Sequence, residues 1–395
     1  MKRQKTGFTS LALSFLFIHG AYAQSTAEVV QSFPIETTLQ VPGVALTQQV
    51  WLDIVNSATR TLDIEQYYIN NSPGQSLDPV MDAIKAAAAR GVKIRFILDS
   101  AFLKKNSNEA DSVQNIPNID LRQIDFSPGI MHAKYMVADG LNAYTGSANM
   151  DWLALSHIHE MGIHTVDAGI AADLESIFNT DWPNATEMSG SSSSELTEAA
   201  KKADFDRMIA DTSSGLPGLT VVASPRKANP AAIGDTLDAV TTLMANAKTS
   251  IDVQVYEYTT APFSGKGTGF TALDDVLREA AKRGVKVRLM VDATVMNAKS
   301  KTCLLALAKL PNVEIKAITI PQWSGGPLQY ARLIHSKYFV IDGGSAGWVG
   351  SENWQDSYFL NTRNVGIAVA DPSLATTLQA LYTNVWESAY GVDLK

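Results

Sequence analysis

Cys303 is the only cysteine in 395 residues. This excludes an intrachain disulfide and any thiolate metal cluster, and leaves Cys303 to be read as a small buried apolar side chain. A cationic surplus is missing too: 32 Lys and Arg stand against 40 Asp and Glu, a net charge of −8. An acidic chain argues against a broad nucleic-acid footprint, although a local cationic cleft stays open. After residue 23 no stretch is long and apolar enough to cross a bilayer. The apolar run over 11–18 follows Lys2, Arg3 and Lys5 and precedes Ala21-Tyr22-Ala23. It is too short for a span and reads as a secretory signal over 1–23. Gln24 rather than a cysteine follows it, which argues against a lipid-anchored lipoprotein. A periplasmic or secreted chain is the expectation, with no membrane span once the signal is removed.

An apolar share of 46% can build a large core, and the length fits two or three domains. The chain repeats itself. A strand pattern over 61–68 returns over 250–258, and a helix pattern over 77–90 returns over 272–283. Ser76 is the candidate N-cap of the first helix, and Gly91 and Gly284 end the pair. The strand patterns over 92–99 and 285–292 follow. Alternating helices and apolar strands predict an α/β layered sheet in each half. The expected division is an N-terminal extension over 24–44, a first half over 45–188, and a second half over 219–395. Between them lies a Ser- and Gly-rich linker over 189–218 with a polar helix.

Each half closes on one pattern. The first is His132-Ala133-Lys134, Asp139, Gly146-Ser147-Ala148-Asn149 and Glu160; the second is His335-Ser336-Lys337, Asp342, Gly350-Ser351-Glu352-Asn353. The flanks are apolar, β-branched or aromatic and read as buried strands. Side chains two apart on a strand share a face, so each His points the same way as its Lys. An imidazole beside a fixed cation suits attack on a phosphate ester. Glycine lets backbone approach a ligand, and Ser and Asn add neutral donors. A helix starting after this segment would favour an anion at its N-terminus. Cleavage through a covalent intermediate needs a nucleophile and, opposite it, an acid for the departing oxygen. Two histidines from two halves can flank one phosphorus atom, which predicts a single site at a pseudo-two-fold interface.

The doubled His-x-Lys-x4-Asp and Gly-Ser-x-Asn wording resembles the phospholipase D superfamily over nearly the whole chain. The text Gly146-Ser147-Ala148-Asn149-Met150-Asp151-Trp152 and Asn353-Trp354 looks most like the endolysosomal phospholipase-D-like exonuclease branch and its bacterial relatives. The resemblance implies two α/β/α sandwich halves and no cofactor or metal. It implies that one of His132 and His335 becomes a phosphohistidine while the other serves as acid and then base. Lys134 and Lys337 would hold the non-bridging oxygens, with Ser147, Asn149, Ser351 and Asn353 completing the phosphate cradle. Glu160 would bond the ring of the first motif's histidine. Asn364 stands at the matching place in the second half, so the two rings should differ in basicity. His132 is the favoured nucleophile. Asp139 and Asp342 fall at odd spacing from their histidines and are expected to hold backbone or a buried partner.

Other residues are read alongside. His157, His159 and His164 lie near the first motif, and His157-x-His159 has a ligand-like spacing, but matching acids are lacking and solvated surface is expected. Arg363 is left between substrate contact and a surface ion pair. Loops at 126–131 and 323–330 are candidate rims. The first-choice function is a metal-independent phosphodiesterase on phospholipid headgroups, by hydrolysis or phosphatidyl transfer, with transient membrane contact. The second is a nuclease on single-stranded nucleic acid, with Tyr67, Tyr68, Tyr256, Tyr258 and Trp323 as stacking candidates. The third, an inactive binding module, is opposed by two intact motifs. Both half-sites lie in one chain, so a monomer is expected.

Overall fold

The computed structural model describes residues 25–188, 216–263, 265 and 269–394. The expected leader over 1–23 and the expected polar helix of the linker lie outside the described residues.

The first half carries β1 (Thr26–Ser32), β2 (Ala45–Leu46), β3 (Thr61–Gln66), β4 (Ile69–Asn70), β5 (Lys93–Asp99), β6 (Ile119–Ile124), β7 (Lys134–Ala138), β8 (Asn142–Gly146), β9 (Met150–Asp151), β10 (Ile158–Val166) and β11 (Thr186–Glu187). The second carries β12 (Leu219–Ser224), β13 (Gly234–Asp235), β14 (Ser250–Val255), β15 (Lys286–Asp292), β16 (Val313–Ile318), β17 (Leu333–Ile334), β18 (Lys337–Ile341), β19 (Ala346–Gly350), β20 (Asn364–Val369) and β21 (Gly391–Asp393). The first sheet runs β11-β6-β5-β3-β7-β8-β10-β1-β2, and the second runs β21-β16-β15-β14-β18-β19-β20-β12-β13. Strand for strand these are the same order, so the repeat read from the sequence is a repeat of the whole sheet. The segment expected as an extension over 24–44 supplies β1, and β2 follows at the start of the expected first half. β1 pairs antiparallel with β10 from Thr26↔Val166 to Ser32↔Glu160. The Gln31 amide ties the following loop down by donating to Val41 O at 2.7 Å and Val44 O at 3.2 Å.

In each half the parallel neighbours at the sheet centre are joined by an ion pair. Arg95 Nε donates to Asp63 Oδ1 at 2.7 Å, and Arg288 Nε to Asp252 Oδ1 at 2.6 Å. The guanidinium groups lie under the terminal helices Ala168–Asp181 and Pro372–Trp386. Arg95 is 4.6 Å from the Phe178 ring, and Arg288 is 5.2 Å from Tyr382. Such cation–π contacts stabilise a partly buried guanidinium where water is scarce. The helix Asp78–Ala89 begins with Pro79 in its first turn and has no side-chain cap. Ser76 turns its hydroxyl to Trp152 O instead, at 2.7 Å. Gly91 and Gly284 end the equivalent helices at φ +95° and +92°, a backbone region that glycine adopts without a Cβ clash.

Each sheet is covered on its outer face by its own helices. The inner faces and both terminal helices share one core, in which Tyr135, Phe178 and Trp182 of the first half pack with Val221, Ile367 and Tyr382 of the second. Burying such side chains contributes about 1.5–3 kcal/mol each. The halves therefore hold each other, and the motif strands β7 and β18 run through this shared layer.

Candidate active site

The strand leading to each motif histidine pairs across the interface. Met131 bridges to Arg363 in parallel. The His132 N–H donates to Arg363 O at 2.8 Å, and the Arg363 N–H to Ile130 O at 2.9 Å. In the other direction β17 lies parallel to β10, with Ile334 opposite His159. The His335 and Ser336 N–H groups donate to His159 O at 2.9 and 3.0 Å. Each histidine is thus seated on the other half's backbone.

This crossing corrects one expectation. Glu160 follows His159, so its carboxylate meets His335 and not His132: Oε1 lies 2.8 Å from His335 Nδ1. Asn364 follows Arg363 and meets His132, with Oδ1 at 3.0 Å from Nδ1. The Asn364 amide nitrogen donates to Tyr358 O at 2.8 Å and Thr362 O at 3.2 Å. Two carbonyls fix which way the amide faces, so Oδ1 is the atom offered to His132. An oxygen without a hydrogen only accepts, so Nδ1 of His132 carries the proton and Nε2 keeps its lone pair.

The Ser147 and Ser351 hydroxyls, expected in the phosphate cradle, turn to the same two orienting groups. Ser147 Oγ donates to Glu160 Oε2 at 2.5 Å, and Ser351 Oγ to Asn364 Oδ1 at 2.9 Å. Asn149 and Asn353 do line the cavity, as do His132 and His335. Each of these amides has a buried Oδ1 without a hydrogen-bond partner. The cavity holds ≈ 490 Å³ and is walled by Tyr67, Tyr68, Phe102, Tyr256, Tyr330 and Tyr358. Tyr67 and Tyr256 are repeat equivalents, each 5.0 Å from its own half's histidine ring. Tyr358 adds a second ring, 5.1 Å from His132 alone. Ala154 holds the matching place in the first half.

Lys134 and Lys337 are fully buried. Lys134 donates to His132 O; Lys337 Nζ has no hydrogen-bond partner. A buried ammonium in that state is costly unless an anion meets it. Burial, opposed by the Glu160 and Glu352 charges, brings Lys337 down to about 7. Burial and then Lys337 push Lys134 well below the usual lysine range. Burial and both lysines also hold His132 and His335 well below the ordinary imidazole value. Burial lifts Glu160 to about 7, against the pull of Lys337 and the Ser147 hydroxyl. Lys337 and Glu160 are thus poised to exchange protons near neutrality, as general acid–base work requires.

Asp139 and Asp342 sit at the far ends of their strands in left-handed backbone, φ +54° and +52°. Asp139 accepts from the N–H groups of Thr59, Arg60 and Thr61 at 2.8–2.9 Å. Asp342 accepts from those of Lys248, Thr249 and Ser250. They tie the start of β3 and β14 to the motif strand. Arg363 is neither at the surface nor at the substrate. It is fully buried, with Nε and Nη2 on the Asp181 carboxylate at 2.6 and 2.9 Å. His157 and His159, expected on solvated surface, are buried. His159 Nδ1 lies 3.1 Å from Ser336 Oγ and 3.0 Å from the Gln254 amide, and His157 stacks edge-on against Trp323 at 5.1 Å. No group of three or more metal-binding side chains occurs among the described residues. Tyr258 is also buried, donating to Asp274 at 2.6 Å, so it is no stacking platform. Phe126 lies 5.3 Å from the Arg363 guanidinium, while Tyr330 stands 78% exposed at the cavity mouth.

Sequence reasoning overlooked Phe102, Tyr358, Asn70 and Asp151 as cavity walls. Asp151 caps the helix Trp152–Ser156 through the Leu153 N–H and accepts from Tyr68 and Asn70 at 2.9 and 3.0 Å. That carboxylate occupies the helix start that was expected to favour an anion. Its signal in the sequence was its place two residues after Asn149.

Fold and site define a two-lobed α/β protein with one composite site of two histidines and two lysines. A family model described as "Cardiolipin synthase, PLD-like domain" matches twice, over residues 52–182 and 240–386. The chain belongs to this PLD-like family of the phospholipase D superfamily, a phosphodiesterase class. It is 26% identical over 383 residues to phospholipase D Z of Dictyostelium discoideum, covering 92% of this chain and 89% of that protein. It is 30% identical over 385 residues to 5'-3' exonuclease PLD3 of Bos taurus, covering 88% and 76%. Among solved structures, the phosphatidylserine synthase of Haemophilus influenzae Rd KW20 superposes with a TM-score of 0.60 over 88% of this chain and 85% of that one. At 11% identity that likeness speaks for the fold alone.

Proposed function

We propose that this phosphodiesterase works through a phosphohistidine on His132. The observation that carries the reading is that both imidazoles line one cavity while their Nδ1 atoms face different partners, an amide and a carboxylate. His132 Nε2 attacks phosphorus, and a P–N bond forms as the P–O bond to the leaving alcohol breaks. His335 gives its Nε2 proton to the departing oxygen. A water then attacks phosphorus and loses its proton to His335 as the P–N bond breaks. Binding of an anionic diester between the lysines offsets the charges that depress His335, and Glu160 then favours its imidazolium. Lys134 and Lys337 supply the positive charge for the transition state, so activity should persist in EDTA.

The favoured substrate is a phospholipid headgroup diester, hydrolysed or transferred to an alcohol. Among the described residues no Lys or Arg lines the cavity, and Lys134 and Lys337 lie behind the histidines, which suits one phosphate better than a chain of them. The alternative is exonucleolytic attack on single-stranded nucleic acid, favoured by the aromatic walls and by the name of the Bos taurus relative. We read the leader over 1–23 as removed on export and the mature chain as a monomer. The experiment is direct. Purified protein is given phosphatidylcholine or phosphatidylethanolamine vesicles, and separately a single-stranded oligonucleotide with a 5'-hydroxyl, with His132→Ala as control. Headgroup release in the first assay alone supports the lipid reading, and shortening of the oligonucleotide alone overturns it. Loss of all turnover in EDTA would overturn the metal-free scheme.

A further inference from the structure

The second motif contains a charge that the first lacks. Its variable position is Glu352, where the first motif has Ala148. Glu352 is fully buried and is not among the residues lining the cavity. Its Oε2 accepts the Ser351 N–H at 3.0 Å, and its Oε1 has no hydrogen-bond partner. A buried carboxylate left half-satisfied is costly, and a nearby cation is what offsets such a cost.

The sheet register shows where that cation is. Lys337 on β18 stands directly opposite Gly350 on β19. Residues directly opposite in an antiparallel pair project from the same face, with Cβ atoms about 4.5–5.5 Å apart. Gly350 has no Cβ, and a Cβ placed there would lie 2.1 Å from the Trp348 ring and 2.7 Å from Glu352 Oε2. The Trp348 ring and the Glu352 carboxylate thus share the volume that a side chain at 350 would take, which puts the carboxylate on the face from which Lys337 projects. In the first half the corresponding volume over Gly146 is bounded by Met161 O, Gly162 Cα and the Tyr144 hydroxyl, which would lie 2.4, 2.6 and 2.7 Å from a Cβ there. Tyr144 and Trp348 are repeat equivalents, whereas Glu352 answers to Ala148, so the carboxyl beside Gly350 has no counterpart at that motif position in the first half.

We propose that Glu352 is a positioning residue that keeps the Lys134–Lys337 pair protonated from behind, and so sets the pH range in which the site accepts a phosphate. The inference rests on the phosphodiesterase reading. The groups facing Glu352 are Lys337 on β18, Lys134 on β7, and Thr236 and Asp235 at the start of the helix Thr236–Asn246. Those acting on Lys337 are Glu160 on β10 and Glu352, both of which favour its charged form. Lys337 in turn opposes protonation of His132, His335 and Lys134. Burial raises Glu352 to about 7, with Thr236 and the Ser351 and Glu352 N–H groups opposing the rise. Glu160, Glu352 and Lys337, each brought to about 7, thus trade protons over one range. Glu160 is committed to His335, which leaves Glu352 as the counter-charge that serves the lysines alone.

The test compares wild type, Glu352→Gln and Glu352→Asp. The readouts are kcat/KM against pH on bis(4-nitrophenyl) phosphate and the affinity for inorganic phosphate against pH by calorimetry. With Glu352→Gln the alkaline fall of both should move about one pH unit lower, since an opposite charge near a titrating group is worth that much or more. The acid limb, set by His132, should stay in place. Glu352→Asp keeps the charge but draws it back, and should move the alkaline fall the same way by less. It serves as the test if Glu352→Gln does not fold. An alkaline fall that stays put in the folded variants, or a uniform loss at all pH values, overturns the proposal. A wild type that binds phosphate but cleaves no diester would sink the phosphodiesterase reading, while the phosphate titrations would still decide the role of Glu352.

Discussion

Glu160 belongs to the first half, and its carboxylate oxygen lies 2.8 Å from Nδ1 of His335 in the second. The two histidines are therefore unequal by construction, and their inequality is open to measurement.

Glu160→Gln should act through the leaving group. Without its carboxylate His335 loses imidazolium character, and general acid catalysis is worth about 100- to 10,000-fold. Substrates with alkyl leaving groups should lose most of that range. A 4-nitrophenyl ester, whose oxygen departs without a proton, should lose far less. Equal losses on both substrates would contradict an acid role for His335.

Asn364→Asp should act on the nucleophile. A carboxylate at Nδ1 favours the imidazolium of His132, which has no lone pair to attack with. The acid limb of kcat/KM should move to higher pH, so activity is lost earlier as pH falls. An unchanged acid limb would argue that another group is the nucleophile.

The wild-type pH profile follows from the same charges. Lys337, brought by burial to about 7, loses its proton as pH rises through that value, and phosphate binding weakens with it. His132, held well below the usual imidazole range by burial and the two lysines, keeps its lone pair into the acid range. An optimum on the acid side of 7 is expected from initial rates at saturating and sub-saturating substrate. An optimum above 8 would contradict the assignment of Lys337.

Arg363→Met should cost stability more than activity. It removes the guanidinium from the buried Asp181 carboxylate and from the neighbourhood of Glu65, whose carboxyl burial already raises. Breaking a buried pair on one side typically costs about 3–5 kcal/mol. Chemical denaturation should show this loss, and pairing the change with Asp181→Leu should recover part of it. A cost under about 1 kcal/mol would mean that water reaches the cleft between the halves.

Much of this was legible in the sequence because it is local. His132 and Lys134 share a strand face by spacing alone, and so do His335 and Lys337. The doubled motif also fixed that one site needs both halves. What the spacing hid is long-range. Glu160 is 175 residues from the ring it bonds, and its own motif histidine looked the nearer choice. The crossing exists because β10 and β17 pair between the halves, a contact with no local signal. Ser147 and Ser351 were assigned by residue type, but a hydroxyl serves a buried carboxyl as readily as a phosphate. His159 looked like a surface residue, and Arg363 was open between substrate contact and a surface ion pair, because nothing nearby in sequence shows Ser336 and Gln254, or Asp181, waiting to receive them. Residues 26–46 carried no motif, yet β1 is needed to cover β10, the strand that carries Glu160.

The interdigitated backbone at His132 and His335 has an ancestral consequence. A symmetric pair built from two copies of the first repeat would give both rings an acid, and one built from two copies of the second would give both an amide. Only a fused gene lets the copies specialise while guaranteeing that unlike copies always meet. Covalent joining here secures stoichiometry: every molecule receives one ring of each kind.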